Sequence, residues 1–359
     1  MHYHSSEQSS SSASRIGNIL SSQSLARPLG LIATPRKTSY TSLELIIIAN
    51  KFHREGHLDK AESTFRRVLD HIPNHPLALH FLGVIALESG NSDAAIKLIK
   101  GALKSTPNYH QAYNNLGNAY EASGQIKDAA TTYAKALEVK PDYTDAMFNL
   151  GLMREKLREF EEAEQILEKC IKLEPRRADV HYELGIVCAA LGNRTKAQMC
   201  FHVVLSIDPE NSLARLALGN LFQSVGRYDE SVEQYDITIE QDENVTRALN
   251  AKGVALRKVG RFDEALDSIS KSKDFDPENV ETLNVLGASY QTIGDIDKAT
   301  ECYYRAVQLD PNSEPAHKCL LFVALNHPRL TSQEFYDIHL QVRGHFNKPD
   351  FTKKTFPDR

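Results

Sequence analysis

The 359-residue sequence has no tryptophan, five cysteines and four methionines, and no stretch apolar enough to cross a bilayer. The longest candidates, Leu43–Ala49 and Cys319–Leu325, span seven residues each, against the roughly 20 that a spanning helix needs. Cys170, Cys188, Cys200, Cys302 and Cys319 form no C-x-x-C pair and no zinc spacing. They read as small apolar core residues, reduced in a cytosolic or nuclear setting. Basic charge is scarce where it would matter for nucleic acid. The net charge is −5, but residues 1–41 carry +3 and residues 314–359 carry +2, which leaves −10 for residues 42–313. So acidic a middle excludes a phosphate backbone as the main ligand. No G-x-x-x-x-G-K, G-x-G-x-x-G, H-E-x-x-H or nucleophile elbow occurs, so the usual phosphate cradles, zinc sites and serine hydrolases are excluded. His71, His75 and His80 crowd one loop, but no cysteine or paired carboxylate joins them at ligand spacing. Glu161, Glu162 and Glu164 read as a charged helix surface, since nothing there separates their pKa values. No catalytic residue, metal or cofactor is expected of this chain.

What is present is periodic. Proline stands at 73, 107, 141, 175, 209, 277 and 311, always 34 residues apart or a multiple of it, with Glu243 in the one vacant place. Ten residues beyond most of these prolines lies a glycine (Gly83, Gly117, Gly151, Gly185, Gly219, Gly253, Gly287). A second glycine series follows seven residues later at 90, 124, 192, 226, 260 and 294, preceded by Gly56. Alanine recurs at 61, 95, 129, 163, 197, 265 and 299, with Ser231 in the gap. Self-similarity at one fixed period marks a repeat architecture.

Units starting at 42, 76, 110, 144, 178, 212, 246 and 280 divide residues 42–313 into eight gap-free repeats. Each predicts two helices. In the third, Tyr113, Leu116 and Tyr120 share one stripe, Gly124 closes the first helix, and a second helix runs from about Ile126 to Val139. Pro141 ends it, because proline lacks the N–H and disfavours helical backbone in the residue before it. The small residues at positions 8 and 20 of each unit predict a close crossing of the two helices. No pair can bury its apolar face alone, so neighbours must stack. The pattern resembles the tetratricopeptide repeat. That resemblance implies an all-α fold: a right-handed superhelical solenoid of about eight 34-residue helix–turn–helix repeats with a C-terminal capping helix pair. It also implies a concave groove that holds peptides and proteins.

Residues 1–40 contain eleven serines and only one acidic residue, Glu7, and residues 1–41 predict a disordered tail; an organellar transit peptide, which the Ser- and Arg-rich composition with Arg15, Arg27 and Arg36 would also fit, is the alternative. Residues 314–346 depart from the repeat and predict a degenerate helix pair, with 347–359 a tail. There Thr331–Glu334 reads as a capping box, and Phe335, Ile338 and Val342 as an apolar stripe. The run Ala316–Pro328, followed by Leu330-Thr331 and Phe335…His339, is similar to the junction between repeats and catalytic region in protein O-linked N-acetylglucosamine transferases, the plant SPINDLY-like and bacterial members being nearest. The resemblance implies a following catalytic half with a uridine-diphosphate sugar site or, for fucose transfer, a guanosine-diphosphate one. No position of this sequence matches such a site, so the chain itself is expected to be inactive as a transferase.

In the groove, asparagine recurs. Asn114, Asn115, Asn118, Asn149, Asn220, Asn250 and Asn284 fall at position 5, 6 or 9 of their units and are the candidate peptide-binding residues. An amide both donates and accepts, so it can pair with a peptide backbone of any sequence. Units about 10 Å apart and an extended rise of about 3.3 Å would let one asparagine meet every third peptide residue. The transferase resemblance implies such a ladder at position 6, which only Asn115 and Asn149 match. A clamp for acidic C-termini needs Lys at position 5 and Asn at 9; Asn50, Asn118 and Asn220 have Ile46, Asn114 and Leu216 as partners, so that clamp is absent. The expected partners are extended polypeptide segments of client proteins, with no nucleic acid and no membrane, and a second copy of the chain through the convex repeat face. A stand-alone adaptor is the alternative to the recognition half of an enzyme, and cytoplasm or nucleus the expected location.

Overall fold

The computed structural model describes residues 40–241, 245–327 and Thr331. Residues 1–39 of the expected serine-rich tail, Ser332–Glu334 of the expected capping box, the stripe Phe335, Ile338 and Val342, and the 347–359 tail lie outside the described residues. Among those described there are seventeen α-helices and no strand. They divide into two compact units, one ending at Val187 and one beginning at Cys188.

The first unit contains α1 (Ser42–Arg54), α2 (Leu58–His71), α3 (Pro76–Glu88), α4 (Ser92–Ser105), α5 (His110–Ala122), α6 (Ile126–Val139), α7 (Thr144–Lys156) and α8 (Phe160–Leu173). The boundary falls within α9 (Ala178–Ala190). The second unit contains α10 (Arg194–Ile207), α11 (Ser212–Ser224), α12 (Tyr228–Glu240), α13 (Val245–Lys258), α14 (Phe262–Phe275), α15 (Val280–Thr292), α16 (Ile296–Leu309) and α17 (Glu314–Leu325). Odd-numbered helices up to α15 are first helices of a pair; the even-numbered ones are second helices.

The local causes are the periodic residues. Thr41 opens α1 with a capping box, its hydroxyl accepting from Glu44 N while the Glu44 carboxylate accepts from Thr41 N. At the far end of each second helix, the residue before proline is extended: Ile72, Thr106, Lys140, Glu174, Asp208, Asp276 and Asp310 have φ between −127° and −141°. Where Glu243 replaces proline, Gln241 after α12 keeps helical backbone, φ −77° and ψ −4°.

Within each pair the recurrent alanine is fully buried (Ala61, Ala95, Ala129, Ala163, Ala197, Ala265, Ala299), as is Ser231 in its place. The structure refines the reason for the glycine at position 8. Its closest neighbour is the large side chain at position 24: a Cβ on Gly117 would lie 2.4 Å from Tyr133, and one on Gly219 2.5 Å from Tyr235. The position-20 backbone comes second, as at Gly83, where Ala95 O would be 3.3 Å away. In the first unit, Leu45, Phe65 and Leu82 centre one apolar cluster and Ile99, Ala112 and Leu116 another. In the second, Tyr235 and Leu256, then Ile269 and Leu286, then Tyr303 and Leu320 do the same.

Four cysteines are buried, Cys319 is half-buried, and none is in a disulfide. Burial pushes the Cys170 thiol up to about 12 and Cys302 to about 11, so neither is a ready nucleophile.

Candidate functional site

Neighbouring first helices in the first unit are joined by polar side chains 35 residues apart. His80 of α3 meets Asn115 of α5, Nε2 to Nδ2 2.8 Å. Asn149 of α7 donates to Asn114 Oδ1 of α5 at 3.1 Å. Further along the same helices, His53 contacts Glu88 at 3.0 Å and Lys156 pairs with Glu121 at 2.7 Å. The spacing arises because a residue one position further round in the next repeat faces its predecessor when equivalent helices pack side by side.

His80 anchors the upper end. Its Nδ1 lies 2.7 Å from the Tyr109 hydroxyl. Since the Asn115 amide nitrogen donates to Nε2, His80 carries its proton on Nδ1 and donates to Tyr109. Burial without a compensating carboxylate lowers its pKa to about 3, so it is neutral at physiological pH. Burial likewise raises the Tyr109 phenol above its ordinary range.

Asn118 is the hub. Its Oδ1 accepts from Tyr133 Oη at 2.7 Å and from Asn149 Nδ2 at 3.4 Å, while its Nδ2 points to Asn115 Oδ1 at 3.5 Å. Tyr133 reaches this face from the second helix because Gly117 leaves room for its ring. The second unit repeats the device: Tyr235 passes Gly219 and donates to Asn220 Oδ1 at 2.7 Å.

The seven candidate asparagines therefore differ in access. Asn114, Asn115, Asn149 and Asn250 are 0%, 4%, 8% and 2% exposed. Each bonds the neighbouring first helix, Asn250 through Thr282 Oγ1 at 2.9 Å, while Asn114 Nδ2 and Asn250 Oδ1 are buried with no partner. Asn284 is half-buried, with an Oδ1 that has no partner. Asn118 is half-exposed and Asn220 exposed. Position 9 is thus the accessible amide row, and positions 5 and 6 form the seam beneath it. Sequence reasoning missed the other accessible side chains of the first helices, Leu43 and Leu77 at position 2 and Ile47 at position 6, all exposed. It also missed the pairs His53–Glu88 and Glu121–Lys156, whose signal was the complementary residues at 35-residue spacing.

No group of His, Cys, Asp and Glu among the described residues could hold a metal ion, and no described helix is long and apolar enough to cross a membrane.

These features define a class first: helical hairpins stacked in a 34-residue register. The particular repeat follows from comparison. Residues 52–120 and 114–173 each match a tetratricopeptide repeat family model, and residues 221–334 match the Psidin N-terminal tetratricopeptide repeat region. A tetratricopeptide repeat protein from Parabacteroides merdae superposes with a TM-score of 0.59 at 19% identity, over 68% of this chain and 97% of that one. The Cut9–Hcn1 hetero-tetramer of the APC/C gives 0.54 at 15% identity, over 78% of this chain and 55% of that one. Yeast Tom70 gives 0.50 at 15% identity, over 85% and 84%. No curated protein sequence matches. The fold is that of tetratricopeptide repeats.

Proposed function

We propose that the repeats form a scaffold for protein–protein interaction that holds extended segments of client polypeptides on the first-helix face of each unit. The observation that carries this reading is the state of Asn118. Its carbonyl is fixed by Tyr133 and Asn149, its orientation is set by Asn115, and it remains half-exposed. One amide N–H is left for a peptide carbonyl, in an orientation that binding need not pay to create. Asn220, held by Tyr235, repeats the arrangement. Leu43, Ile47 and Leu77 add exposed apolar surface beside it. Asn118→Ala with Asn220→Ala should weaken binding to client peptides on an array roughly tenfold without loss of helicity. Unchanged binding by that double variant would refute the reading.

Two finer readings share this groove. In the first, it selects substrates for a protein O-glycosyltransferase of the SPINDLY-like kind. This rests on the sequence run Ala316–Pro328, of which α17 is the helical part. In the second, the repeats act as an adaptor with no enzyme attached. Sugar transfer from a UDP-acetylglucosamine or GDP-fucose donor by the native gene product, weakened roughly tenfold by Asn118→Ala with Asn220→Ala for protein clients only, selects the first. A homodimer through the second-helix face is a separate expectation, checked by sedimentation.

A further inference from the structure

A cleft of another kind opens on the second-helix side of the first unit. Between α4, α5 and α6 lies a cavity of about 330 Å³, lined by buried Leu116, half-buried Tyr113 and Tyr120, and exposed Lys100, Lys104 and Lys135. Residues 113, 116 and 120 lie on a different stripe of α5 from Asn114 and Asn118, so this is not the peptide face described above.

The three ammonium groups are left without an ion pair. None has a carboxylate within ion-pairing distance, and Lys100 instead stands over the Tyr120 ring at 5.2 Å. Some basic side chains elsewhere are paired, Arg66 with Glu62, half-buried Lys252 with Asp236 and Arg305 with Glu278, while others, Lys97 and Lys127 among them, are not. The surroundings supply the contrast. α4 carries Lys97, Lys100 and Lys104 against Asp93 alone, whereas α12 of the other unit carries Asp229, Glu230, Glu233, Asp236 and Glu240 with no basic residue. A basic island therefore sits within repeats whose summed charge is −10. Like charges gathered round an apolar cleft attract an anionic ligand and select against cationic ones.

We infer that this cleft docks an acidic peptide segment of a partner protein. Its carboxylates would pair with Lys100, Lys104 and Lys135, and an intervening apolar side chain would enter between Tyr113 and Tyr120 onto Leu116. Tyrosine suits such a wall, since it supplies large contact area with few rotatable bonds.

The test uses a fluorescein-labelled synthetic peptide that alternates aspartate with leucine, alongside its asparagine-for-aspartate counterpart, in fluorescence anisotropy with the full chain. The aspartate peptide should bind, and its affinity should fall as salt rises. Lys100→Glu, Lys104→Glu and Lys135→Glu combined should weaken it at least about tenfold. The same three changes to arginine should retain binding, and Asn118→Ala should leave it unchanged, which separates this cleft from the groove. Helical circular dichroism checks that the charge-reversed chain is folded. Equal binding of both peptides, or affinity indifferent to charge reversal, would overturn the inference. So would a dimer in sedimentation that dissociates on the same reversal, because a second copy would then be the occupant.

Discussion

The two units share a skeleton and differ in what joins their first helices. In both, a tyrosine at position 24 passes a glycine at position 8 to reach an asparagine at position 9: Tyr133, Gly117 and Asn118 in one, Tyr235, Gly219 and Asn220 in the other. In the first unit, His80, Asn114, Asn115 and Asn149 then bond first helix to first helix. In the second, Leu216, Ala217, Ala251 and Val285 occupy the corresponding positions, and Asn250–Thr282 and, further along, Arg257–Thr292 are polar links. Positions where backbones approach closely admit one kind of residue. Positions where side chains merely meet admit either a hydrogen-bonded seam or an apolar one. A polar seam carries a condition, since a buried donor or acceptor left unpaired costs stability, as Asn114 Nδ2 is here.

That condition makes the seam of the first unit acid-sensitive through His80. His80 stays neutral in the folded chain down to about pH 3, whereas in the unfolded chain it takes a proton near the ordinary histidine value of about 6.5. Between those values the unfolded state binds the extra proton, so stability falls as pH falls. The contribution is fully present above about pH 6.5 and declines by up to roughly 1.4 kcal/mol per pH unit below it. Urea titrations between about pH 7 and 4.5 should show this slope in the native chain and lose it in His80→Gln. An equally steep loss in that variant would remove His80 as the cause.

The shared skeleton is broken by filling the glycine. Gly117→Ala sets a Cβ against a ring whose hydroxyl is tied to Asn118, so the ring cannot swing aside. Overpacking of this kind costs roughly 1–3 kcal/mol, against a helix-propensity gain of up to about 1. Gly219→Ala should cost the same in the second unit, since Tyr235 is tied to Asn220 in the same way. Gly101, where the nearest side-chain atom to an added Cβ is 3.3 Å away on Leu79, is the control. Gly101→Ala should be neutral or stabilising by a few tenths of a kcal/mol to about 1. Thermal unfolding of the three variants reads the difference.

Most of this skeleton was legible because it rests on backbone chemistry. Proline at 141 and glycine at 124 mark the ends of α6 and α5 without reference to any neighbour. The groove was only partly legible. Helical periodicity places Asn114, Asn118 and Asn149 near one face, yet it does not say which amide is consumed by the adjacent repeat. That depends on side chains 35 residues apart meeting, as Asn114 and Asn149 do. Asn118, one turn further along α5, keeps its access. The small residues at positions 8 and 20 and a large one at 24 predict the crossing, but not that the glycine's nearest neighbour is the side chain at position 24 rather than the residue at 20. Small residues advertise a close approach but not the partner that makes it.

The finest contrast lies at position 15, where the first helix of each pair ends. Gly56, Gly90, Gly124, Gly226, Gly260 and Gly294 have φ of 75–86° there, and in the fourth repeat Arg158 adopts φ 63° in their stead. Left-handed backbone costs an L-residue about 1–2 kcal/mol. Arg158 offsets part of this with its guanidinium 6.0 Å from the Phe160 ring, a contact worth about 0.5–1 kcal/mol at an exposed site. Arg158→Gly should therefore stabilise by only about 0.5 kcal/mol, relief of strain and loss of the ring contact nearly cancelling. Arg158→Ala loses the contact and keeps the strain, so the alanine variant should lie about 1 kcal/mol below the glycine variant. In the second unit Gly226 has φ 79° with nothing within 4 Å of an added Cβ, and Gly226→Ala should cost the same amount, about 1 kcal/mol, from backbone strain alone. Equal stability of Arg158→Gly and Arg158→Ala would mean that the turn after α7 relaxes in a way that its counterpart after α11 does not.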